Sequence, residues 1–221
     1  MSARSVHLLL IALSVLLVID VATLAFAVLK APYPSYVPLG PPTAYRNIYI
    51  HVPIAEASLL ILTVAAITAV YYLYTGKHKM YELMHSMILV GLAYSAATLI
   101  TGSIWARVSW GVAWNWDPRE TSVFFLFVAY LVYLAIRASI KDPDRAPRIS
   151  AAYAVAAWAT VPLSFIAPYL SESLHPRVYE TKGFLVGLAG ALFGIRTLIV
   201  IVACALLAYY TTGEIYVYLG T

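Results

Sequence analysis

Four of the five tryptophans in this chain of 221 residues, Trp105, Trp110, Trp114 and Trp116, fall within a dozen positions of one another. Two histidines bracket that stretch along the chain, His51 and His175, and arginines are strung between and beside them at Arg46, Arg107, Arg119 and Arg177. A neutral imidazole gives a metal one nitrogen, and two imidazoles from separate segments can hold one iron from opposite sides. Indole faces are broad and apolar and lose little rotamer entropy when they are covered. Guanidinium groups pair bidentately with carboxylates. A ligand that is flat, apolar, centred on iron and edged with carboxylates uses all three, and heme has that description. Plainer readings exist for each residue alone: tryptophans form belts at membrane interfaces, and a histidine at a helix end is often just interfacial. Four indoles in one connection are denser than a belt requires, and Trp110 and Trp114 share a face if the stretch is helical. His78 lies in a basic loop and reads as solvated, while His7 and His85 begin spans near the opposite side.

The elements that must carry these residues follow from composition. Hydrophobic residues make up 62% of the chain and charged residues 11%, so the chain cannot cover itself with polar surface and its solvent must be largely lipid. Hydropathy predicts an all-α integral membrane protein, a single domain over 1–221 built as a bundle of six transmembrane helices with an outer-face Trp-rich loop. The predicted spans are 6–29, 48–74, 82–104, 121–139, 150–170 and 184–211, and the loop is 103–120. The first stretch is about 24 residues long with one Arg before it, and reads as a retained span rather than a cleaved signal peptide. Each span reverses direction, so the connections at 31–47, 103–120 and 171–183 share one face, whichever way the chain is inserted. Seven cations on the face of the N-terminus against six on the other favour a cytoplasmic N-terminus by one charge. That orientation puts the Trp-rich loop and both histidines on the extracytoplasmic side of the cell membrane.

Cys204 is the only cysteine, so the chain has no internal disulfide and no Cys-x-x-Cys-His site for covalent heme. The net charge of +4 is spread over loops, which gives no footprint for nucleic acid. Asp20, Glu56 and Arg196 lie inside predicted spans, where charges need partners. Comparable depth predicts an Asp20–Arg196 pair that neutralises charge between helices, with Glu56 as the competing acid and an ion path as the alternative role.

The run Trp110-Gly111-Val112-Ala113-Trp114-Asn115-Trp116-Asp117-Pro118-Arg119 resembles the WGxxWxWDxR signature of the WWD-domain heme-handling membrane proteins of cytochrome c maturation. Thr101-Gly102-Ser103-Ile104-Trp105, Ile50-His51-Val52-Pro53 with Arg46 before it, and Leu174-His175-Pro176 fit the same family. Length and span number are most similar to its CcmC branch, not to the larger CcmF or CcsA-type synthetases. The resemblance implies that heme b is held transiently and without a covalent bond. His51 and His175 become the axial ligands of its iron, with Trp105, Trp110, Gly111, Trp114, Trp116 and Asp117 around the porphyrin and Arg46 and Arg119 toward its propionates. It also implies partners: a heme chaperone of the CcmE type and ABC-transporter subunits of the CcmA and CcmB type, all at the lipid bilayer. The family usually follows its Arg with Leu-Thr, whereas Glu120-Thr121 stands here, and Glu120 is expected either to pair with Arg119 or to start a helix. Two other classes remain: a synthetase of the same superfamily joining heme to cytochrome thiols, which the resemblance leaves open, and a small b-type redox or quinone-handling subunit.

Overall fold

The computed structural model describes residues 3–31, 46–175 and 188–211. Within them the chain forms seven α-helices: α1 (Ala3–Lys30), α2 (Ile48–Thr75), α3 (His78–Trp110), α4 (Pro118–Ser139), α5 (Arg145–Ala157), α6 (Thr160–Leu170) and α7 (Leu188–Thr211). α5 and α6 together make one crossing, so six helical segments are long and apolar enough to span a membrane. This is a multi-pass membrane protein. Residues 32–45 of the predicted connection 31–47, residues 176–183 of the predicted connection 171–183 and the start of the predicted last span at 184 lie outside the described residues, as does Arg177.

The break between α5 and α6 has a local cause. Pro162 has no N–H for the Trp158 carbonyl, which takes its bond from Val161 instead at 2.8 Å, and Ala159 bonds back to Ala156 at 3.1 Å. The turn tightens there and the helix restarts. The crossing also begins at Arg145, five residues before the predicted start.

Apolar burial cannot drive helices together in lipid, so small residues and polar contacts carry the association. Ala57, Ala65 and Ala69 of α2 are buried against α3 and its neighbours. Ser58 Oγ lies 2.7 Å from Ser95 Oγ and donates to the Gly91 carbonyl at 3.2 Å. Leu62, Met84, Ile88, Leu126, Tyr130 and Tyr133 fill the space between α2, α3 and α4. Large side chains on the outside, such as Leu8, Ile11, Val18 and Ile67, face the hydrocarbon.

The Trp-rich connection is shorter than predicted. α3 does not stop near 103 but continues through Trp105 to Trp110, and α4 begins at Pro118, leaving only residues 111–117 between them. Gly111 ends α3 at φ +83, a left-handed conformation in which a side chain would be strained. Asp117 starts α4 as its N-cap, accepting from the Arg119 N–H, with Pro118 in the first turn where its missing N–H costs nothing.

Candidate functional site

The first turns of α2, the last turns of α3, the 111–117 connection and residues 171–175 meet at one end of the bundle, as the parity of the spans requires. Asn47 Nδ2 donates to the Thr101 carbonyl at 2.9 Å, and Asp117 receives bonds from Ser173 and Leu174. A cavity of about 320 Å³ opens there. One stripe of α2, running through His51, Val52, Ala55, Glu56 and Leu59, forms one wall. Gly102, Trp105 and Trp110 of α3, with Trp114, form the next, and Arg119, Phe165 and His175 close the rest.

The two histidines lie against the same indole. The Trp105 ring centroid is 5.9 Å from that of His51 and 6.4 Å from that of His175, and His175 stands edge-on to Trp110 at 5.0 Å. Each imidazole is also held through its Nδ1. His51 Nδ1 is 3.0 Å from Thr101 Oγ1, whose own hydroxyl donates to the Ala97 carbonyl at 2.8 Å. Thr101 can therefore only accept, and the proton sits on His51 Nδ1. His175 Nδ1 is 2.7 Å from Asp117 Oδ1, a carboxylate oxygen that again accepts. In both rings the lone pair is left on Nε2. A second-neighbour acceptor that fixes the tautomer in this way is the usual support of a metal-binding imidazole.

Gly102 lets His51 pack closely on α3. A Cβ built on it would stand 3.0 Å from His51 Cε1, so a side chain at residue 102 would push the imidazole aside by a few tenths of an ångström.

Asp117 has little left to offer a ligand. Its side chain is 1% exposed and gathers four donors. These are His175 Nδ1, Ser173 Oγ at 2.8 Å, the Leu174 N–H at 2.7 Å and the Arg119 N–H at 2.9 Å. Burial pushes its carboxyl pKa up, but the hydrogen bonds from His175, Ser173 and the Arg119 amide outweigh that and hold it below the usual carboxylate range. The side chain orders the outer connection and aims His175; it does not line the cavity.

The arginines at this end divide by role. Arg46 Nη1 donates to the carbonyls of Val28 at 3.0 Å and Leu29 at 3.3 Å, closing the end of α1. Arg107 Nη1 donates to the Gly111 carbonyl at 2.6 Å and does the same for α3. Neither is on the cavity wall, whereas Arg119 is. Its guanidinium lies 5.9 Å over the Phe165 ring, and its buried Nε has no hydrogen-bond partner among the described residues. A buried cationic donor facing a cavity without an acceptor suits an anionic group on whatever enters. Glu120 does not compete for it: its Oε2 accepts from the Asn115 N–H at 3.3 Å in the first turn of α4.

Trp105, Trp110 and Trp114 thus line the cavity with His51, His175 and Arg119, while Gly111, Trp116, Asp117 and Arg46 stand outside it. Trp116 is 69% exposed and holds a left-handed φ of 63, with the Asn115 side chain accepting from the Asp117 N–H just beyond it. Thr101 and Ser173, which support the histidines, and Phe165 and Glu56, which stand on the cavity wall, belong to no site pattern in the sequence. Only Glu56 carried a signal, since it lies on the stripe of α2 that His51 begins.

The profile of the family described as cytochrome C assembly protein matches residues 2–175. The chain belongs to that family. Within it, the chain is similar to a putative ccmC-like mitochondrial protein of cytochrome c biosynthesis from Marchantia polymorpha, 44% identical over 88 residues, or 39% of this chain and 38% of the relative. It is also similar to heme exporter protein C of Rhodobacter capsulatus, 30% identical over 131 residues, 59% of this chain and 54% of the relative. The same protein of Haemophilus influenzae is 28% identical over 163 residues, 70% of this chain and 66% of the relative. The chain thus matches between 38% and 66% of the length of these relatives. Membership puts the chain in a family described by cytochrome c assembly, as the CcmC-like likeness of its motifs implied.

Proposed function

We propose that the protein takes up heme b without a covalent bond in the cavity between His51 and His175 and hands it on during the maturation of c-type cytochromes. The observation that carries this reading is the pair of imidazoles on one cavity, each with its Nδ1 proton engaged by the protein and its Nε2 lone pair uncommitted. Heme is the cargo. The indoles of Trp105, Trp110 and Trp114 supply flat apolar surface for the porphyrin, and Arg119 supplies a cation for a propionate. Arg46 takes part only by giving up the carbonyls at the end of α1.

The receiving partner on this reading is a heme chaperone of the CcmE type, with ABC-transporter subunits of the CcmA and CcmB type assisting, at the extracytoplasmic face of the cell membrane. Relatives named heme exporter protein C support the export step. His175 sits on a short segment beyond α6 rather than inside a helix, which suits a ligand that must be exchanged. Such a carrier makes and breaks coordination bonds only and needs no nucleophile.

The test is an absorption spectrum of the purified protein before and after dithionite. A bis-histidine heme spectrum is expected, with its Soret band lost in the His51→Ala/His175→Ala double variant. A double variant that retains heme like the parent sinks the assignment, and thioether formation with an apocytochrome would turn it toward a synthetase.

A further inference from the structure

Arg196 is 2% exposed in the middle of α7, in a bundle whose surroundings are hydrocarbon. A charge there needs a partner, and Asp20 of α1 supplies it, with Arg196 Nε 3.2 Å from Asp20 Oδ1. The guanidinium goes further than neutralisation. Its Nη1 donates to the Ile50 carbonyl at 2.8 Å and to the Tyr49 carbonyl at 3.3 Å. These are the two residues immediately before His51.

Pro53 explains why the first of those two carbonyls is open to a side chain; the Ile50 carbonyl keeps its helical donor at residue 54 and accepts Arg196 as a second one. In an uninterrupted helix the Tyr49 carbonyl would accept from the N–H of residue 53, and Pro53 has none. An unserved carbonyl is costly in a membrane, so it must find a donor elsewhere. Arg196 is that donor. Its planar fork meets Asp20 with one nitrogen and the broken turn of α2 with another, so three helices are joined at the turn that carries His51.

We propose that Arg196 is a positioning residue for His51: held by Asp20, it replaces the backbone bond that Pro53 removes and so fixes the height and direction of the imidazole at the cavity wall. The inference rests on the reading of His51 as a heme ligand. Charge neutralisation alone needs only a cation near Asp20, and the contacts to Tyr49 and Ile50 are what separate the two roles.

The experiment follows from that difference. Arg196→Lys keeps a cation for Asp20 but has no fork to reach the carbonyls as well. It is expected to hold heme about tenfold more weakly, at the lower end of what loss of a ligand's support costs. Its electron paramagnetic resonance spectrum should gain a high-spin, five-coordinate component. In the ligand-free protein, amide exchange at residues 48–52 should quicken. Adding Pro53→Ala returns an N–H to the Tyr49 carbonyl and is expected to move two readouts, the heme affinity and the amide exchange, back toward the parent. Should Arg196→Lys not fold, the neutral pair Asp20→Asn/Arg196→Gln is read in the same way. Variants with the parent's affinity, spin state and exchange pattern, or a Pro53→Ala that restores neither readout, would falsify the positioning role. A parent that has no heme band dependent on His51 removes the heme reading and this inference together; a parent with the band and variants that keep it removes the inference alone.

Discussion

Both ends of the bundle gather histidine with aromatic residues and an arginine, and they use them differently. At the end opposite the cavity, His85 Nδ1 lies 3.1 Å from the Tyr133 hydroxyl, Arg137 Nε donates to the Tyr81 hydroxyl at 2.8 Å, and the rings of Tyr81 and His85 are stacked. Those groups serve one another inside a close-packed region, and none of them is on the cavity wall. At the cavity end, His51 and His175 commit one nitrogen each to Thr101 and Asp117, and Arg119 keeps a buried donor with no acceptor among the described residues. The lesson is that residue types do not separate a site from a structural network. Uncommitted valence facing open space does.

Substitution can break or sharpen that contrast. The largest expected effect is on heme retention: His175→Ala should lower it by about a hundredfold, the upper range for disturbing a metal site. His85→Ala should leave it unchanged while lowering the melting temperature. Equal loss of heme in both variants, read by the pyridine hemochrome assay on purified protein, would erase the distinction between the two ends.

Next in size is Asp117→Asn, which keeps the shape but weakens the hold on His175, Ser173 and Leu174. Heme binding is expected to fall by roughly tenfold or more. The same carboxyl makes a prediction about pH. Its pKa is lowered in the folded protein, so its contribution to stability is complete above the ordinary carboxylate value of about 4 and fades as pH falls below that toward the depressed value. Melting curves in detergent should therefore be insensitive to this group at neutral pH and drop in acid, and the drop should be smaller in Asp117→Asn. A variant that loses stability in acid as steeply as the parent would show that other groups govern the acid limb.

The smallest effect belongs to Tyr133→Phe at the packed end. Removing the hydroxyl that meets His85 should cost about 1 kcal/mol of stability. Heme titration should be indistinguishable from the parent, and a weaker affinity would mean that the two ends communicate.

Much of this arrangement was legible because membrane helices obey strict rules. Continuous apolar runs gave six crossings, and their parity alone put His51, the tryptophans and His175 on one side. The depth of Asp20 and Arg196 predicted their pair, now seen at 3.2 Å. What pattern could not supply was where helices end and where long side chains turn. Trp105 and Trp110 read as loop residues, yet α3 carries them, because its apolar face continues past the expected interface to the stop at Gly111. Arg46 read as a propionate partner and Arg107 as one of the arginines strung between the histidines, yet each bends back to a helix end, a choice set by end carbonyls that no spacing reveals. The break at Trp158 and Ala159 could have been read from Pro162, but hydropathy averages over a single proline.

Asp117 draws Ser173, Leu174, His175 and the start of α4 onto one carboxylate. A segment tied at a single knot has no gradual way of coming loose. Opening of the outer connection should be all-or-none, with the amides of Leu174, His175 and Arg119 exchanging at a common rate set by one equilibrium. The imidazole nearest the exit would then be offered or withdrawn in one motion.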